Sequence, residues 1–326
     1  MSLNYDNLSA LTKNQYVPLL VDNIFESNVL TKRLLSKSKA SASGNKVLQP
    51  VEYAKNASSG FYTGYDVMDT APTETFTDAE YEWKQMYATI SISGREEALN
   101  DGAERVIDLL EAKVKNAEKS MKDTFGTTLY GTQAGTGSDF VGLQHMISSA
   151  RSMGGIDTSG GNYTWWNAGV VKALSNNNSY ANVTDSSNTH YIQKLLRETV
   201  SALTIDGTRP SMIVTTPVVL DAYEETLVAQ KRFGASAGSE ADAGFRNLTF
   251  RDIPIFADDH CPAGMMFFLN EDYIQFRHRR KRNFTFEPFQ KPINQDARVA
   301  KILWLGALTC SAPRYMGKIT GLPSSY

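Results

Sequence analysis

The chain has 326 residues, 41% hydrophobic and 21% charged, enough to bury at least one sizeable core and to form one to three compact units. A formal net charge of -2 excludes a molecule built as a whole to neutralise phosphate or to hold an anionic membrane, so any nucleic-acid contact has to be local. Cys261 and Cys310 are too few for a disulfide framework and suit a reducing cytosol, MSLNYDNLSALTK lacks the basic and apolar regions of a signal peptide, and the densest apolar stretch, Ile302–Cys310, is far too short to span a membrane.

In chain order, residues 1–45 begin with an amphipathic piece, Val17–Phe25, and thin out into LSKSKASASG, which reads as an arm without a core of its own. Residues 46–93 read as two long strands around a loose connection, NASSGFYTGYDVMDTAPTETFTD, whose Phe61, Tyr62 and Tyr65 look exposed. In the second strand Tyr81, Trp83 and Tyr87 fall on one face and Met86, Ala88, Ile90 and Ile92 on the other. Both faces are apolar or aromatic, so the ribbon is expected to need partners, with packing on its own domain as the alternative.

The strongest local pattern predicts a helix from about Asp101 to Phe125, opened by Asp101 and Glu104 as a capping box. Its stripe is Ala103, Val106, Ile107, Leu110, Val114, Ala117, Met121 and Phe125, and charged residues including Glu118 cover the rest. At about 1.5 Å per residue the rod is roughly 37 Å long, enough to serve as a spine. Residues 126–187, rich in Gly, Ser, Thr and Asn, predict short strands and loops pinned by Phe140, Trp165, Trp166 and Tyr180.

Helices are then expected at about Thr189–Leu203 and Val218–Arg232, with a buried strand Met212–Pro217 between them, an α/β arrangement. A mobile loop at Gly234–Gly244 precedes strands at Leu248–Ile255, Met265–Leu269, Tyr273–His278, Val299–Ala312 and Tyr315–Ile319.

Apparent chemical motifs fail on context. Gly234-Ala-Ser236-Ala-Gly238 matches a nucleophile elbow, with His260 and His278 as conceivable bases for a cytosolic serine hydrolase. An elbow needs a strand immediately before the serine and a helix immediately after, and neither is expected. Asp258, Asp259, His260 and Cys261 are consecutive and cannot all turn onto one metal ion, so a polar turn is favoured. No glycine-rich nucleotide loop is present. No catalytic residue, cofactor or metal is therefore expected.

The densest charge is Arg277, His278, Arg279, Arg280, Lys281 and Arg282. Such a run suits a solvated strand end, pairing with acidic groups of a neighbouring subunit, or DNA phosphates, since the arginine fork binds carboxylate and phosphate alike. Strand alternation would send Arg277, Arg279 and Lys281 to one side and Arg280 and Arg282 to the other.

Three stretches carry a family resemblance. NLTFRDIPIFADDHCPAGMMFFLNEDYIQFRHRR, DARVAKILWLGALTCSAPRYMGKITGL and MIVTTPVVLDAYEETLVAQKRF, in the order arm, hairpin, long helix, α/β unit and final strands, resemble the major capsid proteins of tailed bacteriophages with the Hong Kong 97-like fold. The resemblance implies an α+β fold with an N-terminal arm (1–45), an E-loop hairpin (46–93), a P-domain with its spine helix (94–187), an A-domain (188–285) and return strands of the P-domain (286–326). It implies a structural, non-enzymatic subunit that assembles as hexamers and pentamers into an icosahedral head around double-stranded DNA. Other copies, a separate scaffolding protein and a portal would be partners, with host cytoplasm and then the virion as locations and no membrane. An encapsulin shell is the alternative within the same fold. Lys55 lies in the hairpin, but no crosslinking partner for it is identified.

Overall fold

The structure is a computed structural model that describes residues 29–41, 44–68, 70–99, 103–174, 179–228 and 248–326. The amphipathic piece Val17–Phe25, the Asp101 cap and the Gly234–Gly244 loop lie outside the described residues, as do the side chains of the long helix before Glu111.

Two sheets organise the molecule. The first is built on β14 (Ala297–Cys310), which pairs along one edge with β4 (Lys84–Ser93). Its other edge pairs with β13 (Thr285–Gln290) and β12 (Ile274–Arg279), and β1 (Lys39–Ser41) adds in parallel to β12. Helix α3 (Ala103–Leu129) packs on this sheet, burying Val114, Met121 and Phe125 as its stripe demands. Phe125 meets Phe140, Phe276, Phe284 and Trp304 at centroid distances of 5.2, 5.3, 6.3 and 5.3 Å. Glu118, read as part of the polar cover, is instead buried, and desolvation raises its carboxyl pKa.

The second sheet runs β7 (Val170–Ala173), β15 (Gly317–Thr320), β11 (Met265–Leu269), β8 (Met212–Thr215), β10 (Ile253–Ala257) and β9 (Leu248–Phe250). Every residue of β8 is buried because both faces are covered, the condition that a continuous apolar run signals. Alternation sorts the side chains between two cores. Met212, Val214, Phe267 and Leu269 join the first sheet's core, while Ile213, Met266 and Phe268 pack with α6 (Ile192–Leu203) and α7 (Pro217–Val228).

Two sequence expectations are corrected. Residues 46–93 form three strands, β2 (Lys46–Glu52), β3 (Phe76–Glu82) and β4, with a break at Trp83. In β3 the odd residues Ala79 and Tyr81 are buried, whereas in β4 the even residues Lys84, Ile90 and Ile92 are. A one-residue slip flips every following side chain. The apparent second apolar face comes from this slip and not from a ribbon that is apolar on both sides.

The arm reading also changes. Helix α1 (Val29–Ser36) buries Leu30 and Leu34 in the chain's own core, and Arg33 and Lys37 pair with buried Glu271 at 2.5 and 2.7 Å. Residues 29–41 are thus docked on their own chain.

Candidate assembly surfaces

The β2–β3 hairpin has a fixed base. Val47, Val51, Ala79 and Tyr81 join the main core, and the Tyr81 hydroxyl donates to the Cys310 carbonyl at 3.0 Å. Burial pushes the Tyr81 pKa far up, so the hydroxyl stays a neutral donor. The Glu80 N–H donates to the Gly154 carbonyl at 2.9 Å. Gly154 has φ +64 and a side chain there would meet Ala79, so this close approach requires glycine. Just past β2, Tyr53 stacks on Trp165 at 5.2 Å.

Beyond Tyr53 the connection, residues 53–75, has no helix or strand among its described residues. The hydrogen bonds described within it are local, such as the Ser58 hydroxyl to the Ala71 carbonyl at 3.1 Å. Phe61, Tyr62, Tyr65, Val67 and Met68 are all exposed there, and Phe61 and Tyr65 are fully so. The sequence reading of Phe61, Tyr62 and Tyr65 as exposed matches their positions.

The basic run divides. In β12, Arg277 reaches across to Gln49 of β2 at 3.0 Å. Arg279 donates to the Gly44 carbonyl and lies 4.6 Å from the Trp83 ring centroid, while the Trp83 indole N–H donates to the same carbonyl at 3.1 Å. These two arginines clasp the hairpin base to its own body. Alternation then ends, because β12 stops at Arg279 and the chain leaves the sheet before rejoining it as β13. Arg280, Lys281 and Arg282 occupy that excursion and are exposed. Phe284 closes it with φ 50, an unfavourable backbone for a bulky residue, held by burial against Phe125 and Trp304.

The expected sides are therefore corrected: Arg277 and Arg279 share a role, whereas Lys281 belongs with Arg280 and Arg282. Trp83 and Glu271 were missed as organising residues. Trp83 sits where the apolar parity changes, a signal that the sequence does carry.

The rejected chemistry has structural roles where it is described. Asp258 accepts from the Tyr130 hydroxyl at 2.8 Å and the His260 N–H at 3.0 Å, forming a turn, and His260 Nε2 lies 3.2 Å from Asp123. Cys261 and Cys310 are buried free thiols, and burial pushes the Cys310 pKa up to about 12. Among the described residues no group of three or more His, Cys, Asp or Glu is placed to hold a metal ion, and no helix is long and apolar enough to cross a membrane. Ser236 lies outside the described residues.

The fold has solved counterparts. It resembles the capsid subunit of cyanophage A-1(L), with a TM-score of 0.64 and 14% identity over 91% of this chain and 94% of that one. It also resembles the SrpI encapsulin of Synechococcus elongatus PCC 7942, with a TM-score of 0.55 and 11% identity over 91% and 88% of the two chains. The satellite phage P4 procapsid subunit aligns with a TM-score of 0.53 and 11% identity over 94% and 90%. No curated protein matches the sequence. The model of the family described as SU10 major capsid protein matches residues 20–323, and the chain belongs to that family, as a major capsid protein of a tailed phage.

Proposed function

We propose that copies of this chain assemble as hexamers and pentamers into an icosahedral head that encloses double-stranded DNA. In this reading the β2–β3 hairpin is the E-loop, and β4, α3 and the β12–β14 sheet form the P-domain. The second sheet with α6 and α7 is the A-domain, so that β12 passes from the expected 188–285 segment to the P-domain while β7 and β15 join the A-domain. A separate scaffolding protein and a portal act in assembly in the host cytoplasm, and the finished product is the virion shell.

One observation carries the proposal: a hairpin anchored at its base ends in fully exposed Phe61 and Tyr65. Exposed aromatic groups clustered on one projection mark a surface meant to be covered. Large rings lose little conformational entropy when they are buried between subunits. The exposed Arg280, Lys281 and Arg282 suit a subunit contact because the hairpin that would reach a neighbour is acidic; between Lys55 and Lys84 it has no lysine or arginine.

Co-expression with the scaffolding partner and negative-stain imaging should give closed shells or hexameric rings. A strictly monomeric or dimeric product under all conditions would sink the proposal. The encapsulin likeness supports a second reading, a shell around protein cargo. Terminase and portal genes beside this one would favour the phage head, and a cargo-enzyme gene would favour the compartment.

A further inference from the structure

Between β12 and β13 the chain steps off the sheet at 280–284, and the step is weakly bonded. Among the described hydrogen bonds its backbone is fastened to β14 through one, from the Leu305 N–H to the Arg282 carbonyl at 2.8 Å. The Arg282 N–H and the Thr285 hydroxyl bond locally, to the Arg279 and Lys281 carbonyls at 3.0 and 3.1 Å. Phe284 completes the step with φ 50, a backbone that a bulky residue adopts under constraint. Three buried polar atoms at the step, His278 Nδ1, Asn283 Oδ1 and Trp304 Nε1, have no hydrogen-bond partner among the described residues. Each such atom is costly, so three of them beside one strained residue leave the closed step a small margin of stability.

His278 is the group that can remove this margin. Strand alternation places it in the row of Ile274 and Phe276, the face that packs on Phe125 of α3. Across the sheet it stands opposite Gly306 of β14 and Ala40 of β1, neither of them charged. A side chain at Gly306 would collide with the Trp304 indole, so that ring fills the place opposite His278.

The charges on the surrounding elements are directed elsewhere or are themselves positive. Arg277 and Arg279 turn to the other face, toward Gln49 and Trp83, and Lys39 of β1 shares the register of Arg277. Arg33 and Lys37 of α1 are held by Glu271, and Glu287 of β13 stands opposite Lys301 of β14. On α3, Glu118 lies two turns before Phe125, and Asp123 is engaged by His260. Arg280, Lys281 and Arg282 follow His278 closely in the chain. Burial therefore holds the His278 pKa below its ordinary 6.5.

We propose that 280–284 is an acid-released latch, closed on β14 while His278 is neutral and freed when His278 takes up a proton. Above pH 6.5 the imidazole is neutral in both the closed and the opened segment, and the latch keeps its full stability. As pH falls below 6.5 the opened form protonates first, and the closed form loses stability until its own, lower pKa is passed. The exposed cations assigned above to a subunit contact ride on this segment, so acid changes how they are presented. The latch belongs to the single copy and does not depend on the shell reading.

Amide exchange on the unassembled full chain, corrected for the intrinsic effect of pH, tests it at about pH 7.5 and about pH 5.5. One unit below 6.5, a freely protonating open form gains up to about tenfold. Leu305 and residues 280–285 should lose protection severalfold, and by no more than about tenfold, while β8 holds. The His278→Phe chain should show equal protection at both pH values. In the parent, exchange of the imidazole C2 hydrogen gives the His278 titration directly, so the test stands even where the variant does not fold. Its midpoint should lie below 6.5, and the amide response should level off there. Unchanged protection in the parent, a response that persists in folded His278→Phe, or a His278 midpoint at or above 6.5 would each overturn the latch.

Discussion

The base and the tip of the hairpin are built from similar residues and behave in opposite ways. Tyr81 at the base is buried and donates to the Cys310 carbonyl, far along the chain. Tyr65 at the tip is fully exposed. Composition does not separate these two tyrosines; the contacts their backbone permits do. The base lies against Gly154, Trp165 and the main core, whereas Phe61 and Tyr65 at the tip are fully exposed. Packing therefore holds one end of a single ribbon, and the other end is the one proposed above for association.

The comparison can be broken or sharpened by substitution, from the largest effect on the subunit's stability to the smallest. Tyr81→Ala should cost about 3–5 kcal/mol, because it removes a buried ring and leaves the Cys310 carbonyl without its donor. Urea unfolding measures the loss, and a value near that of a surface substitution would refute the buried base. Trp83→Ala should cost about 1 kcal/mol, since it removes the ring under Arg279 and the bond to Gly44. Amide exchange in β2 and β3 should quicken while that of β14 holds; unchanged protection would deny the clasp.

Glu118→Gln should act in the opposite direction. The Glu118 pKa is raised above 4.5 in the folded chain, so as pH rises the unfolded state ionises first and folding loses stability. The variant should melt about 1–3 °C higher than the parent at pH 7, and the gap should close below pH 4.5, where both states are protonated. A gap independent of pH would show that desolvation of the carboxylate is not its cause. Smallest of all, Phe61→Ser with Tyr62→Ser and Tyr65→Ser should shift stability by no more than about 0.5 kcal/mol while abolishing assembly. A large drop in melting temperature would mean that the tip packs on its own chain.

Local signals carried much of this architecture. The stripe ending at Val114, Ala117, Met121 and Phe125 announced the long helix, and MIVT announced a strand covered on both faces. The exposed aromatic tip was legible because Gly, Ser and Thr surround Phe61, Tyr62 and Tyr65. The docking of α1 was not legible, because Leu30 and Leu34 belong to a core assembled from strands far along the chain and Glu271 is distant in sequence. The split of the basic run escaped for a similar reason. A continuous run of arginines does not announce that the strand ends at Arg279, and Phe284 gives no local hint of its positive φ. The break at Trp83 was written in the change of parity, but a continuous strand with two apolar faces fitted the same letters.

The central claim is that the tip serves association and not folding. Its most direct test is sedimentation velocity on the chain lacking residues 58–75, beside the parent, each co-expressed with the scaffolding partner. The account predicts shell-sized particles from the parent, and from the shortened chain only small species whose melting temperature matches the unassembled parent subunit. Shell-sized particles from the shortened chain would contradict it.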